Sequence, residues 1–354
     1  MSESISRLAR ARAKPLHVAG LVLLLPLVAA LALWALSPAA NAKAARTATK
    51  TYSGKINVSF PFLPITQFYP LELAKDDGIF AKYGLNVNVE TVSNTAINAA
   101  LESGSLQFTI TSPPLELSEE AGVPIKLVGV YGWHTATYLI ASPGISSVQD
   151  LVGKKVGITV PNAYSSIIAK YALYKAHVPF SSVTFVPLGL TMPSSAIISG
   201  LANATDGDTT QLLAAQQGLP GTSSIENFTS IPWPSGQIWG YTPWMNAHKQ
   251  ETAVFLKAFN AAVVKWNSDP AAAKAEISKY DATTDTATIN ALYKATENEF
   301  NKGKTPVQVP TRANEEFISG ILRVTGFPAA SNKYTKKGDL WTPEFWNLAF
   351  GPHT

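Results

Sequence analysis

Polar and apolar residues alternate over Lys55–Phe60 (KINVSF), the period-two pattern of a strand with one buried face. Beyond it the chain switches repeatedly between that period and the 3.6-residue period of a helix. Gln67–Asp76 is a predicted helix, Leu85–Val92 a strand, Thr95–Ser103 a helix, Leu106–Thr111 a strand, Pro114–Ala121 a helix and Lys126–Tyr131 a strand. A second series runs from strand Lys155–Val160 through helix Ser165–His177, strand Val183–Val186 and helix Ser194–Ser199 to strand Ala204–Asp208. From Ala247 the pattern is helical, with Phe255, Phe259, Val263 and Trp266 forming one apolar stripe. Asp269 before Pro270 is an N-cap followed by a first-turn proline, Asp285 and Thr342 are further caps, and a helix over Arg312–Thr325 stops at Gly326. Strands alternating with helices predict an α/β fold with largely parallel sheets.

The two series echo each other. Val87 lies 17 positions before Gly104, and Val183 lies 17 before Gly200. Each glycine is followed three residues later by a side-chain amide, Gln107 or Asn203, and then by a strand. A strand–helix–Gly–strand unit is therefore expected once in each of two lobes.

Charge is sparse, 15% of residues, and the net +4 is uneven. Arg7, Arg10, Arg12 and Lys14 against Glu3 account for three of those four charges, so the body of the chain is nearly neutral and gives no reason to expect nucleic acid as a partner. Val18–Leu36 is apolar at every position but Gly20 and Pro26, and Ala40-Asn41-Ala42 follows. Basic, apolar and Ala-x-Ala parts in that order predict a secretory signal over residues 1–42, cleaved after Ala42, and a periplasmic mature protein. An uncleaved anchor is the alternative, since Val18–Leu36 is long enough to span a bilayer. Cysteine is absent, which excludes disulfides, a thiolate zinc site, a thiol nucleophile and a lipidated cysteine.

Enzyme motifs are missing. There is no GxSxG elbow, GxGxxG fingerprint, P-loop or HExxH, and the five histidines are scattered. Asp76-Asp77 and Glu119-Glu120 are neighbours on predicted helices and point apart. Asp206-Gly207-Asp208 is like a fragment of a calcium loop without its later ligands, so no metal, cofactor or catalytic residue is expected.

Ligands of open α/β sheets bind outside the C-terminal ends of the strands, where helix N-termini also offer free N–H groups. The loops in that position are Pro61–Thr66, Thr111–Pro113, Trp133-His134, Pro161–Ser166, Gly189–Pro193 and Asp208–Thr210. They carry hydroxyls at Thr66, Ser112, Ser165 and Ser166, each of which could equally cap a helix. Aromatic residues at strand ends, Phe60, Phe62, Trp133, Tyr164, Trp239, Tyr241 and Trp244, would suit a flat ring if gathered at one mouth. No arginine occurs between Arg46 and Arg312, so a bidentate clamp on an anion needs Arg312 or Arg323.

Taken in order, Asp77-Gly78-Ile79-Phe80, Tyr83–Val87, Ala100-Leu101, Gly104, Gly122–Ile125, Ser147–Gly157 and Ala196–Ala204 resemble the NMT1/THI5-like solute-binding proteins of ABC importers. That family includes binders of sulfonates, taurine, nitrate and thiamine precursors, and the resemblance covers roughly Lys55 to Tyr280. It implies an α/β, two-lobed periplasmic-binding-protein type II fold with a cleft between the lobes. Lobe I would hold residues 43–141 and 242–354 with the C-terminal helices, and lobe II residues 142–241. The crossings would lie near Tyr138–Ser142 and Gly240–Pro243. Gln107 and Asn203 depart from the family's Gly-x-x-Asp pattern.

The resemblance and the loop positions together give as candidate ligand-binding residues Phe60, Phe62, Gln67, Ser112, Trp133, His134, Asn162, Tyr164, Ser165, Asp206, Asp208, Trp239 and Tyr241. The implied function is capture of a small aromatic or heteroaromatic compound, with a mono-anionic group among the options, by hinge closure. A monomer would then dock on the importer's membrane permease. Two other readings share the pattern: a thiamine-pyrimidine enzyme of the same fold, whose Cys-rich motif this chain lacks, and a membrane-tethered sensor that retains Val18–Leu36.

Overall fold

β1 (Lys55–Phe60) follows its alternation, with Ile56, Val58 and Phe60 buried. In the computed structural model, which describes residues 54–61, 63–111, 123–161, 163–189, 191–327 and 341–352, this strand is the interior of a sheet. It runs parallel to β2 (Asn86–Thr91) and β3 (Phe108–Thr111). β4 (Ile125–Gly132) lies at the far edge. A second sheet contains β5 (Thr137–Ala141), β6 (Lys155–Ile158), β7 (Thr184–Pro187), β8 (Ala204–Asp208) and β9 (Ser223–Asn227). The chain then returns to the first sheet as β10 (Gly236–Tyr241). The strand orders are β2-β1-β3-β10-β4 and β7-β6-β8-β5-β9.

These orders are the same design used twice. In each sheet three parallel strands are joined by an antiparallel one, β10 beside β3 or β5 beside β8, that precedes the outer strand. The echo read in the sequence has a direct counterpart. Gly104 and Gly200 both adopt a positive φ, +71° and +72°, which favours glycine. The amides that follow them serve one purpose: Gln107 Oε1 accepts from Asn57 N–H at 2.7 Å, and Asn203 Oδ1 accepts from Lys155 N–H at 3.0 Å. Each amide oxygen thus occupies the N–H at the start of the neighbouring parallel strand. An acceptor is all that this position needs, and a side-chain amide supplies it.

Helices α1 (Tyr69–Asp76), α2 (Ile79–Lys82) and α3 (Asn94–Glu102) belong to the first series. The second contributes α4 (Tyr164–Lys175), α5 (Pro193–Ile198) and α6 (Thr209–Gly218). The C-terminal part contains α7 (Thr242–Ala247), α8 (Lys249–Ser268), α9 (Pro270–Tyr280), α10 (Thr286–Glu299), α11 (Arg312–Val324) and α12 (Glu344–Phe350). The stripe of α8 is fully buried, and Phe255 stacks on Phe108 of β3 with ring centroids 4.3 Å apart. Such a pair adds about 0.5–1.5 kcal/mol beyond its burial and returns the C-terminal helices to the first sheet. Asp269 and Asp285 cap α9 and α10 through Ala272 N–H and Thr288 N–H.

The sheet assignments move the crossings. β5 pairs in the second sheet and β10 in the first, so the chain passes between them at residues 133–136 and 228–235, not at Tyr138–Ser142 and Gly240–Pro243. β5, β9 and β10 are short and pair antiparallel with strands distant in the chain, which leaves little local signature. The predicted helix Pro114–Ala121 and the signal segment lie outside the described residues. Among the described residues no helix is long and apolar enough to cross a membrane.

Candidate functional site

The C-terminal ends of β1, β3, β6, β7 and β8 converge on a cavity of about 240 Å³ between the two sheets. The first sheet's side supplies Thr66, Gln67 and Phe68, with Ser93 and Thr95 at the start of α3. The second sheet's side supplies Thr159, Tyr164 and Ser165 around the start of α4, and Asp206 and Asp208 at the end of β8. Glu299, the last residue of α10, joins them from the C-terminal part.

Local structure explains each placement. Gly207 sits where a Cβ would meet Ile140 Cδ1 at 2.6 Å and Gln211 Cβ at 2.9 Å, so β8 can lie this close to β5 and α6 only with glycine there. Asp206 and Asp208, two apart on a strand, share its other face. Asp208 lies opposite Thr137 of β5, and its Oδ1 caps α6 by accepting from Gln211 N–H at 2.9 Å. Its Oδ2 is enclosed and has no hydrogen-bond partner. Tyr164 opens α4, donates its hydroxyl to Thr135 Oγ1 at 3.3 Å and packs its ring against Trp233 at 5.6 Å. Ser165 Oγ accepts from Thr159 N–H at 2.8 Å, which closes the β6–α4 turn. Gln67 donates through Nε2 to Ser235 carbonyl oxygen at 2.7 Å, binding the loop after β1 to the second crossing.

The electrostatics are one-sided. Burial pushes the Asp206 and Asp208 carboxyls up to about 7, and pushes Glu299 up to about 8 with the negative charge of Asp208 adding to the rise. Glu299 is only 4% exposed, and its Oε2 has no hydrogen-bond partner. Burial also raises the Tyr164 phenol. No Lys, Arg or His is among the described lining residues, so a mono-anionic ligand would find no opposite side-chain charge on this wall.

Of the residues singled out in the sequence, Gln67, Tyr164, Ser165, Asp206 and Asp208 line the cavity. Phe62, Ser112 and Asn162 lie outside the described residues. Phe60 is buried one layer back, stacked on the lining residue Phe68 at 5.6 Å. Trp133 is buried in the core of the first crossing, and His134 beside it serves through its carbonyl, which accepts from Ser235 Oγ at 2.7 Å. Trp239 is fully buried within β10, its Nε1 donating to Gln237 Oε1 at 2.5 Å. Tyr241 lies against Gly104. None of these last four lines the cavity: Trp133 and His134 belong to the first crossing, and Trp239 and Tyr241 to β10, an interior strand.

Phe68, Thr137, Gln211 and Glu299 line the cavity but were not identified from the sequence. Gln211 could have been found from Asp208, a capping residue type three positions ahead of it. Glu299 had no local signal, because it ends a helix far along the chain and reads as a solvated charge.

The NMT1/THI5-like family model matches residues 65–273. A binding protein of Brucella abortus is 29% identical over 133 residues, which are 37% of this chain and 40% of that protein; the alignment thus spans about two fifths of the curated relatives' length. In three dimensions the chain is similar to the alkanesulfonate-binding protein SsuA of Xanthomonas axonopodis pv. citri bound to MOPS. Identity there is 14% and the TM-score 0.65, over 77% of this chain and 93% of that one. It is also similar to the periplasmic nitrate-binding protein NrtA of Synechocystis PCC 6803, with 14% identity and a TM-score of 0.62 over 83% and 88% of the two chains. At these identities the likeness is one of fold.

Proposed function

The chain belongs to the NMT1/THI5-like family, and from that premise we propose that it is the extracytoplasmic solute-binding component of an ABC importer. The observation that carries this reading is the cavity itself, walled from both sheets at the C-terminal ends of their strands. A ligand held there touches both lobes at once, so its binding free energy favours their closed arrangement over an open one. The crossings at residues 133–136 and 228–235 are the hinge in this account, and the closed form docks on the permease. The protein acts as a monomer in the periplasm, delivered by the signal over residues 1–42.

The wall suits binding rather than catalysis. Ser165 Oγ is engaged by a backbone N–H and not by a base, and His134 stands away from the cavity. Phe68 from the first sheet's side and Tyr164 from the second offer one ring each, which favours a small aromatic or heteroaromatic compound. Hydroxyls and amides around them would fix its orientation.

The test is a thermal-shift screen of the purified mature protein against small solutes of every charge class, followed by calorimetry on the hits. A ligand that binds only the folded state raises its stability by mass action. The expected result is a saturable rise in melting temperature, with a fall in the radius of gyration by small-angle scattering. Absence of any stabilising solute would overturn the reading.

A further inference from the structure

We propose that the solute is a compact organic cation, a ring bearing an ammonium or amidinium group, whose N–H donors are received by Glu299, Asp208 and Asp206. The proposal rests on the solute-binding reading and names its ligand class.

The strongest observation is Glu299. It is 4% exposed, lines the cavity, and carries an Oε2 with no hydrogen-bond partner. It is also the last residue of α10, where the helix dipole is negative, so its charge is offset by the Ser235 hydroxyl and by no cation among the described lining residues. Asp208 Oδ2 is a second enclosed carboxylate oxygen without a partner. A buried carboxylate oxygen with no partner is costly, and the group relieves that cost by taking up a proton unless a donor reaches it. With Asp206 they bring three carboxyls to one cavity, and no Lys, Arg or His is among the described lining residues. Their raised protonation equilibria, about 7 to 8, follow from the same confinement.

An anion would need the helix N-termini at the cavity, and two of these are already engaged. Asp208 caps α6. α5 begins with Pro193, which has no N–H, and the next N–H, from Ser194, donates to Gln211 Oε1 at 3.1 Å. α3 and α4 present N-termini without a side-chain cap, so an anion would be held by backbone N–H groups alone, beside three carboxyls and with no basic side chain among the described lining residues. Among the described residues no group of three or more His, Asp or Glu is spaced to hold a metal ion.

The experiment uses the mature protein and two scaffolds, each in three charge forms: benzamidine, benzamide and benzoate, and benzylamine, benzyl alcohol and phenylacetate. Melting shifts and calorimetry at pH 8 are expected to show binding by the cationic member of at least one scaffold, at least tenfold tighter than its neutral and anionic counterparts. Glu299→Gln should weaken that cation at least tenfold, and Asp208→Asn, which keeps a capping oxygen for α6, should do the same in a second background. Tighter binding of the neutral or anionic forms, or unchanged cation affinity in both variants, would overturn the cationic ligand and leave the solute-binding reading standing. No stabilisation by these compounds, by nitrate or by alkanesulfonates would overturn both.

Discussion

Ser235 Oγ donates to the His134 carbonyl oxygen at 2.7 Å, joining two residues 101 positions apart in the two segments that pass between the sheets. Gln67 adds the loop after β1 to the same junction through the Ser235 carbonyl, and Tyr131 donates its hydroxyl to Gln67 carbonyl oxygen at 2.7 Å. Ser235→Ala removes a buried donor from this junction and should lower unfolding stability by about 1–2 kcal/mol, the usual cost of leaving a buried carbonyl without its partner. The midpoint of urea unfolding measures it. An unchanged midpoint would mean that the junction is not a stabilising contact.

Tyr164 is the aromatic residue that sequence and structure both bring to the cavity, and its ring, not its hydroxyl, faces Trp233. Tyr164→Ala should weaken ligand binding by about tenfold or more, as expected for removal of a partly buried ring, while unfolding remains cooperative. Tyr164→Phe should retain most of the affinity. Calorimetry separates the two, and equal affinity in Tyr164→Ala would remove the residue from the site.

Ligand binding should be visible in tryptophan emission through Trp233. The sequence favoured Trp133 or Trp239, but both are buried away from the wall, whereas Trp233 packs on Tyr164. Trp233→Phe should abolish the ligand-linked change, and Trp239→Phe should preserve it. The reverse pattern would show that the cavity is sensed through β10.

Stability of the ligand-free protein should fall as pH rises from about 5 to about 8.5. Folding raises the Asp206 and Asp208 carboxyls to about 7 and Glu299 to about 8. Between their unfolded range near 4 and these values the folded protein binds more protons than the unfolded chain, so the slope of stability against pH is negative. Asp281, which also faces Asp208, acts in the same sense, and Tyr164 stays neutral throughout. A triple variant carrying Asp206→Asn, Asp208→Asn and Glu299→Gln should flatten the slope. A slope unchanged from the native protein would place the titration elsewhere.

The paired amides offer a test of the repeated design. Asn203→Asp keeps the acceptor for Lys155 N–H and should change stability by less than about 0.5 kcal/mol, while Gln107→Ala leaves Asn57 N–H without its partner and should cost about 1–3 kcal/mol. Denaturant midpoints of the two variants give the comparison. Equal losses would show that the oxygen is not what the position requires.

Much of this fold was legible because it is written in local periods. The alternation of β1, the buried stripe Phe255–Trp266, the caps at Asp269 and Asp285, and the two Gly-x-x-amide units all depend on residues within a few positions of one another. From them the chain's α/β class, its doubled unit and its family resemblance follow without coordinates. Tertiary pairing decided the rest. β5 and β10 gain their identity only by lying antiparallel to strands far away in sequence, and that pairing set the crossings at residues 133–136 and 228–235. It also turned Trp239 into the core and left Tyr164 at the wall. Glu299 joined Asp206 and Asp208 only because α10 ends beside the first crossing, where Phe300 bridges Gly132. The sequence alone showed a sparsely charged chain without mid-chain arginine, and pointed to a small aromatic solute with a mono-anionic group among the options. The proposed preference for a cation rests only on the convergence of three distant carboxyls in one confined volume, because the cost of enclosing a charge depends on what surrounds it.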